Sequence, residues 1–325
     1  MMGITLPTLA EPPRPRILPA PARAALRRAR SADSVFLSRL RNGPFRGQVH
    51  SVFARVVNVL HADGRLYTLA AGDLDDAPNT AVLDDVADFA TFGLAVSDPV
   101  RSDGDRLQIG DGLAIVLTAA SAWTCSLPDY PPAPTALRTN LCRLRAELQR
   151  LGVGGGMGAP RADASAFDHA VTALLEQRAG RLSAALQHGD MAAAARHART
   201  MLGLGPGLTP SGDDFLVGLF AVLNVPASPC HGWLGGGRDV LVDADRATHA
   251  ISLTALTEAA NGRVRASIAA LIGHLMHGSP DALPVPLRRV LSIGSTSGSD
   301  IVAGIRCGLE LNIFQGGKSS CQSKW

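Results

Sequence analysis

Residues 200–223 read Thr-Met-Leu-Gly-Leu-Gly-Pro-Gly-Leu-Thr-Pro-Ser-Gly-Asp-Asp-Phe-Leu-Val-Gly-Leu-Phe-Ala-Val-Leu. Gly203, Gly205 and Gly207 make a loop free to adopt positive φ and to let a ligand approach the backbone. Thr209 or Ser211 can cap a helix; with Thr209 as the cap, Pro210 falls at the first helical position. Asp213 and Asp214 then occupy the first turn. Leu216, Leu219, Phe220 and Leu223 follow at helical spacing, which predicts a helix with an apolar face to bury. A glycine loop feeding a helix start presents backbone N–H groups suited to an anion.

The pattern recurs. Ser211-Gly212-Asp213-Asp214 with Gly218 matches Ser297-Gly298-Ser299-Asp300 with Gly304, both reading Ser-Gly-x-Asp-x-x-x-Gly. Two copies, each opening an apolar helical run, predict paired helix starts that face one cavity. The candidate ligand-binding residues are therefore Gly205, Gly207, Thr209, Ser211, Gly212, Asp213 and Asp214 with Thr296, Ser297, Gly298 and Asp300. The competing explanation is two well-capped helices, with Asp at the favourable end of each dipole and Gly where helices cross. Three extra glycines tilt the first copy toward a ligand.

Adjacent residues on a helix point about 100° apart. Hence one of Asp213 and Asp214 is expected to orient the loop and the other to approach the site. Asp214 and Asp300 are hard oxygen donors of the kind Mg²⁺ takes, and no other cofactor is indicated. The nine histidines show no metal spacing, and Ser211 and Ser297 have no base evident in the sequence. Catalytic residues are therefore left unassigned.

With 325 residues and a formal charge of +3, the chain carries too little positive charge to argue for nucleic acid. No stretch of about 18 apolar residues predicts a membrane helix. Cys125, Cys142, Cys230, Cys307 and Cys321 are widely spaced and odd in number, which points to a reducing, cytoplasmic setting.

The order of patterns predicts an α+β chain. Residues 1–46 are expected to form a Pro/Arg-rich tail with a short helix near Ala20–Arg30. Residues 47–128 read as an antiparallel β domain, a small sheet or partial barrel. Its strands are expected at Gln48–Leu60, Leu66–Leu69, Ala81–Leu83, Arg106–Ile109 and Leu113–Leu117, with one helical candidate at Asp84–Phe92. The Pro-rich segment Asp129–Pro134 marks a boundary. Residues 136–312 read as a mainly helical domain, including a long helical pattern over Thr248–Met276 with Thr254, Glu258, Asn261 and Arg265 on one polar stripe. Gly154-Gly155-Gly156 lacks a following Lys-Ser/Thr and reads as a flexible connection rather than a phosphate loop. Residues 313–325 are expected to be a disordered tail.

The stretch Gly203 to Leu216 resembles the hallmark of the third-subunit family of oxamate carbamoyltransferase, from allantoin degradation in purine catabolism. His50-Ser51-Val52-Phe53, Asn58, Pro78-Asn79 and the late Ser297-Gly298-Ser299-Asp300 fit the same resemblance, which spans roughly residues 47–312. It implies a transferase subunit that helps interconvert oxalurate plus phosphate with oxamate plus carbamoyl phosphate. The implied partners are a small anionic substrate (carbamoyl phosphate, oxamate or phosphate) and further subunits of the complex. The alternative is a non-catalytic scaffold or effector-binding subunit.

Overall fold

The structure, a computed structural model, describes residues 24–102, 106–151 and 154–322, with side chains described as far as residue 317. Nine strands come first: β1 (Ala25–Asp33), β2 (Arg46–Val52), β3 (Val56–His61), β4 (Leu66–Ala70), β5 (Thr80–Leu83), β6 (Pro99–Ser102), β7 (Arg106–Ile109), β8 (Leu113–Val116) and β9 (Ser121–Trp123), with helix α1 (Ser34–Arg41) after β1. They pair in the order β5-β4-β3-β2-β6-β7-β8-β1-β9. β1 also pairs with β5, Ala29 opposite Leu83, so eight strands close on themselves and β9 extends the ring beside the second half of β1. Closure removes the open edges that invite aggregation.

Inward-facing Val49, Val57, Val59, Leu69, Leu83, Leu107, Ile109, Leu113 and Ile115 fill the barrel, with Phe36, Phe45 and Tyr67 packed together at one end. The pairing is mostly antiparallel, as the short strands and tight turns predict. It becomes parallel where β1 meets β8 and β9 and where β4 meets β5.

Several local expectations need correction. Residues 25–30, expected in a tail helix, are strand: Ala and Arg favour helix, but pairing on both sides of β1 overrides that weak preference. Residues 25–46 thus belong to the barrel, and residues 1–23 lie outside the described residues. The single strand expected over Gln48–Leu60 is two, β2 and β3, folded back on each other around residues 53–55. Asp84–Phe92 gives only a short 3-10 turn at Phe89–Phe92, capped by Asp88.

The helical part contains α2 (Thr135–Leu151), α3 (Ala166–His188), α4 (Met191–Arg199), α5 (Ser211–Leu223), α6 (Ala250–Ala259), α7 (Ala266–His277), α8 (Pro284–Leu291) and α9 (Ser297–Gln322). The long pattern over Thr248–Met276 is broken into α6 and α7, with Gly262 at positive φ between them. The expected disordered tail is helical as far as Gln322, because α9 continues through it.

α5 is the centre. All thirteen of its residues are buried, which fits an unbroken apolar run from Phe215 to Leu223 better than a one-sided face. Its largest contact is with α9. A Cβ on Gly218 would lie 2.1 Å from the Ile301 carbonyl oxygen, and one on Gly304 would lie 1.9 Å from the Phe215 carbonyl oxygen. Further along, Gly308 lies over Val222. Contacts advance together along both helices, so α5 and α9 run parallel and start at the same end.

Placing a methyl group at this crossing forces the backbones apart. Gly218→Ala is expected to destabilise the chain by about 1–3 kcal/mol or more. Gly180→Ala, in α3 where nothing lies within 4 Å of an added Cβ, should be neutral or stabilise by up to about 1 kcal/mol. Chemical denaturation of both variants checks this; equal behaviour would show that the crossing tolerates a side chain.

Candidate functional site

The two Ser-Gly-x-Asp motifs begin α5 and α9, and each is built the same way. Gly212 N–H donates to the Leu204 carbonyl (2.9 Å) and Gly298 N–H to the Ile293 carbonyl (3.0 Å). Asp214 N–H donates to Pro210 (3.0 Å) and Asp300 N–H to Thr296 (3.0 Å). A Cβ on Gly212 would sit 2.1 Å from the Met201 carbonyl oxygen, and one on Gly298 2.1 Å from that of Val290. The side chains then cross over. The Ser297 hydroxyl acts on Asp214, the Ser211 hydroxyl acts on Asp300, and the Thr209 and Ser297 hydroxyls are 3.1 Å apart. The two copies therefore meet in space and exchange partners.

Neither Thr209 nor Ser211 caps α5: the cap position is Pro210, with no side-chain cap bond. The donors expected to be free at this helix start are largely bonded to backbone carbonyls instead. Gly207 has φ +93° and open space around it, so its role is conformational, whereas Gly205 packs against the Ser211 backbone.

The three aspartates differ sharply. Asp213 is saturated: one oxygen accepts from Gly203 N–H (2.9 Å), the other from Ser252 Oγ (2.7 Å) and Thr248 Oγ1. It ties the glycine loop to α5 and to the start of α6. Asp214 is only 5% exposed, and its Oδ2 has no hydrogen-bond partner. Burial pushes it up to about 7; Ser297 and Thr209 favour its charge, but Asp300 opposes it. Asp300 is fully buried, accepts from Met157 N–H (2.6 Å) at Oδ1 and leaves Oδ2 unpartnered. Burial pushes it up to about 6 against the pull of that N–H.

A cavity of about 500 Å³ lies between the barrel and these helix starts. Thr209, Asp214 and Ser297 line it, whereas Gly205, Gly207, Ser211, Gly212, Asp213, Thr296, Gly298 and Asp300 do not. Thr254, Glu258, Arg263 and Arg265 face the same space, so most of the polar stripe lines the cavity rather than solvent. The barrel contributes Phe53, Asn58 and Thr68. Asn58 is held by Ser51 (3.0 Å) and Thr68 (2.9 Å). Asn79 donates to Glu258 (2.8 Å), and Arg263 bridges Asp33 (2.6 Å) and Glu258 (3.1 Å), fixing barrel to helices.

Sequence reasoning missed two contributors. Arg263 follows the break after α6 and had no periodic signal. The Gly154–Gly156 segment, read as a plain connection, packs on the second motif: a Cβ on Gly156 would lie 2.3 Å from Asp300 Oδ1. The triplet of glycines was the available clue. Among the described residues no group of three or more His, Cys, Asp or Glu could hold a metal ion, and two carboxylates are a thin ligand set for a six-coordinate Mg²⁺.

Raised carboxyl pKa values make the folded state bind protons that the unfolded state releases. The contribution of Asp214 and Asp300 is fully present below pH about 4 and is lost as pH rises through about 6 and 7. Wild type is expected to lose on the order of 4 kcal/mol between pH 5 and pH 8, and Asp214→Asn should reduce that loss by more than half. Parallel denaturation curves at the two pH values for both proteins check this; identical pH slopes would mean that Asp214 ionises normally.

Comparison with known families agrees with this division of the chain. Residues 28–122 match the AllH family N-terminal domain, and residues 201–309 match the model described as oxamate carbamoyltransferase subunit AllH. No solved structure matches the chain. The first match is the barrel and the second runs from the glycine loop through both motifs, together more than half of the chain. The chain belongs to the AllH family of oxamate carbamoyltransferase subunits.

Proposed function

We propose that the cavity at the paired helix starts binds a small anion that carries an amide or ureido group, as oxamate, oxalurate and carbamoyl phosphate do. The family is a subunit of oxamate carbamoyltransferase. In this reading the chain takes part directly in oxalurate plus phosphate giving oxamate plus carbamoyl phosphate. The observation that carries it is the buried Asp214 carboxyl on the cavity lining, one of its oxygens without a partner, beside the Thr209 and Ser297 hydroxyls.

A bare anion would be repelled by an ionised Asp214. A carbamoyl N–H₂ donates to the carboxyl instead and offsets the cost of an under-bonded buried acid, about 1–3 kcal/mol or more for a charged group. The two parallel helix dipoles offer compensation for the ligand's negative end, while Arg263 and Arg265 on the cavity wall are already paired with Asp33, Glu258 and Asp75. Thr209, Asp214 and Ser297 touch the ligand. Gly205, Gly207, Ser211, Gly212, Asp213, Thr296, Gly298 and Asp300 hold those three in place. Further subunits complete the transferase, in a reducing, cytoplasmic setting that suits the free Cys125, Cys142, Cys230 and Cys307. No helix among the described residues is long and apolar enough to cross a membrane.

The second reading is a scaffold in which the motifs serve packing. The glycines favour it, since Gly212, Gly218, Gly298 and Gly304 are all explained by close backbone contact.

Calorimetric titration of the full chain, alone and assembled with its partner subunits, separates the two. Wild type should prefer oxamate to oxalate, which lacks the amide, by roughly tenfold. Asp214→Asn and Thr209→Val should weaken oxamate, and Asp214→Asn should shrink the preference. Affinity for oxamate untouched by both substitutions, with carbamoyl transfer by the assembled enzyme also unchanged, would leave the scaffold.

A further inference from the structure

Beside the candidate site lies a second cleft of about 570 Å³, sharing Val56, Arg265, Ile293 and Gly294 with it. Four arginines line it: Arg30 of β1, Arg55 between β2 and β3, Arg265 at the start of α7 and Arg289 of α8. Two carboxylates line it as well. Arg55 pairs with Asp73 and holds its carboxyl below the usual range. Burial would raise Asp75, but the Arg265 guanidinium overrides it and keeps the group ionised.

Two positive charges remain. Arg30 donates to the Gly72 carbonyl (2.9 Å) and the Leu74 carbonyl (3.4 Å). Among the described residues no carboxylate pairs with Arg30 or Arg289.

Asp75 shows how the cleft treats an anion. It takes the Arg265 guanidinium through Oδ1 and the Ser267 N–H (2.9 Å), at the positive end of α7, through Oδ2. Beside it the Ser267 hydroxyl, in a residue only 8% exposed, also favours the ionised Asp75. Guanidinium groups match tetrahedral oxyanions through paired N–H bonds.

We propose that this arginine cleft is a binding site for a phosphate group, separate from the amide-binding end at Asp214. A dianion suits it best, because a single carboxylate would leave one of the two surplus charges unmatched. The site stands on its own residues and does not depend on Asp214 binding an amide.

The test is calorimetric titration of inorganic phosphate, and separately of oxamate, into the full chain at low ionic strength. Arg289→Ala should weaken phosphate by roughly tenfold and leave oxamate nearly unchanged. Arg30→Ala, which removes the other surplus charge, should also weaken phosphate. Arg288→Ala, on the same helix but outside the cleft, should leave both unchanged, and thermal melting verifies that each variant is folded. Asp214→Asn should leave phosphate binding intact, so failure at Asp214 is distinguishable from failure here. The proposal is overturned if Arg289→Ala and Arg30→Ala bind phosphate like wild type. It is equally overturned if Arg288→Ala weakens phosphate as much as Arg289→Ala, which would reduce the effect to general surface charge.

Discussion

Two helices can bring their backbones into contact only where no side chain intervenes, and α5 and α9 do so at Gly218 and Gly304. The rest of the helical part depends on this crossing. Parallel packing puts both helix starts at one end, so two carboxylates, Asp214 and Asp300, are buried near each other. Ordinary packing would avoid that arrangement, since burial and like charge both oppose ionisation. Here each aspartate lies by the serine of the other copy, and each keeps one oxygen without a partner. Cost concentrated in this way is more easily understood at a binding site than in a mere cap.

The barrel supplies the opposite wall. Its position is set by a small ionic network in which Arg263 joins Asp33 at the end of β1 to Glu258 of α6, while Asn79 binds both acids, through its backbone and its side chain. Asp33 is almost fully buried, so removing Arg263 would leave a charge without compensation inside the interface. Through this network the barrel residues Asn58 and Phe53 line the cavity opposite the helix starts. The segments matched by the family models are thus the two walls of one cavity.

Much of this was legible before any coordinates. The change from alternating to 3.6-residue periodicity near Pro134 separates barrel from helices, and the repeated Ser-Gly-x-Asp pattern marks the two helix starts. What the pattern lacked was tertiary information. β1 is rich in Ala and Arg and becomes a strand only because β5 and β8 flank it. Helix α6 ends well before the apolar pattern does, because Gly262 takes positive φ. Within the site, local spacing could say that Asp213 and Asp214 diverge. Only the fold shows that Asp213 is consumed by Gly203, Thr248 and Ser252, while Asp214 faces the cavity. Backbone donors at the helix starts looked free in sequence and are taken by carbonyls of their own preceding loops.

A crystal structure of the chain soaked with oxamate tests most directly whether two copies of one motif build a single ligand site around Asp214. Oxamate is expected in the cavity between barrel and helices, its amide nitrogen within hydrogen-bonding distance of the Asp214 carboxyl and its polar atoms in reach of Thr209 and Ser297. Oxamate bound elsewhere, or bound there with its carboxylate against Asp214 and its amide turned away, would contradict it.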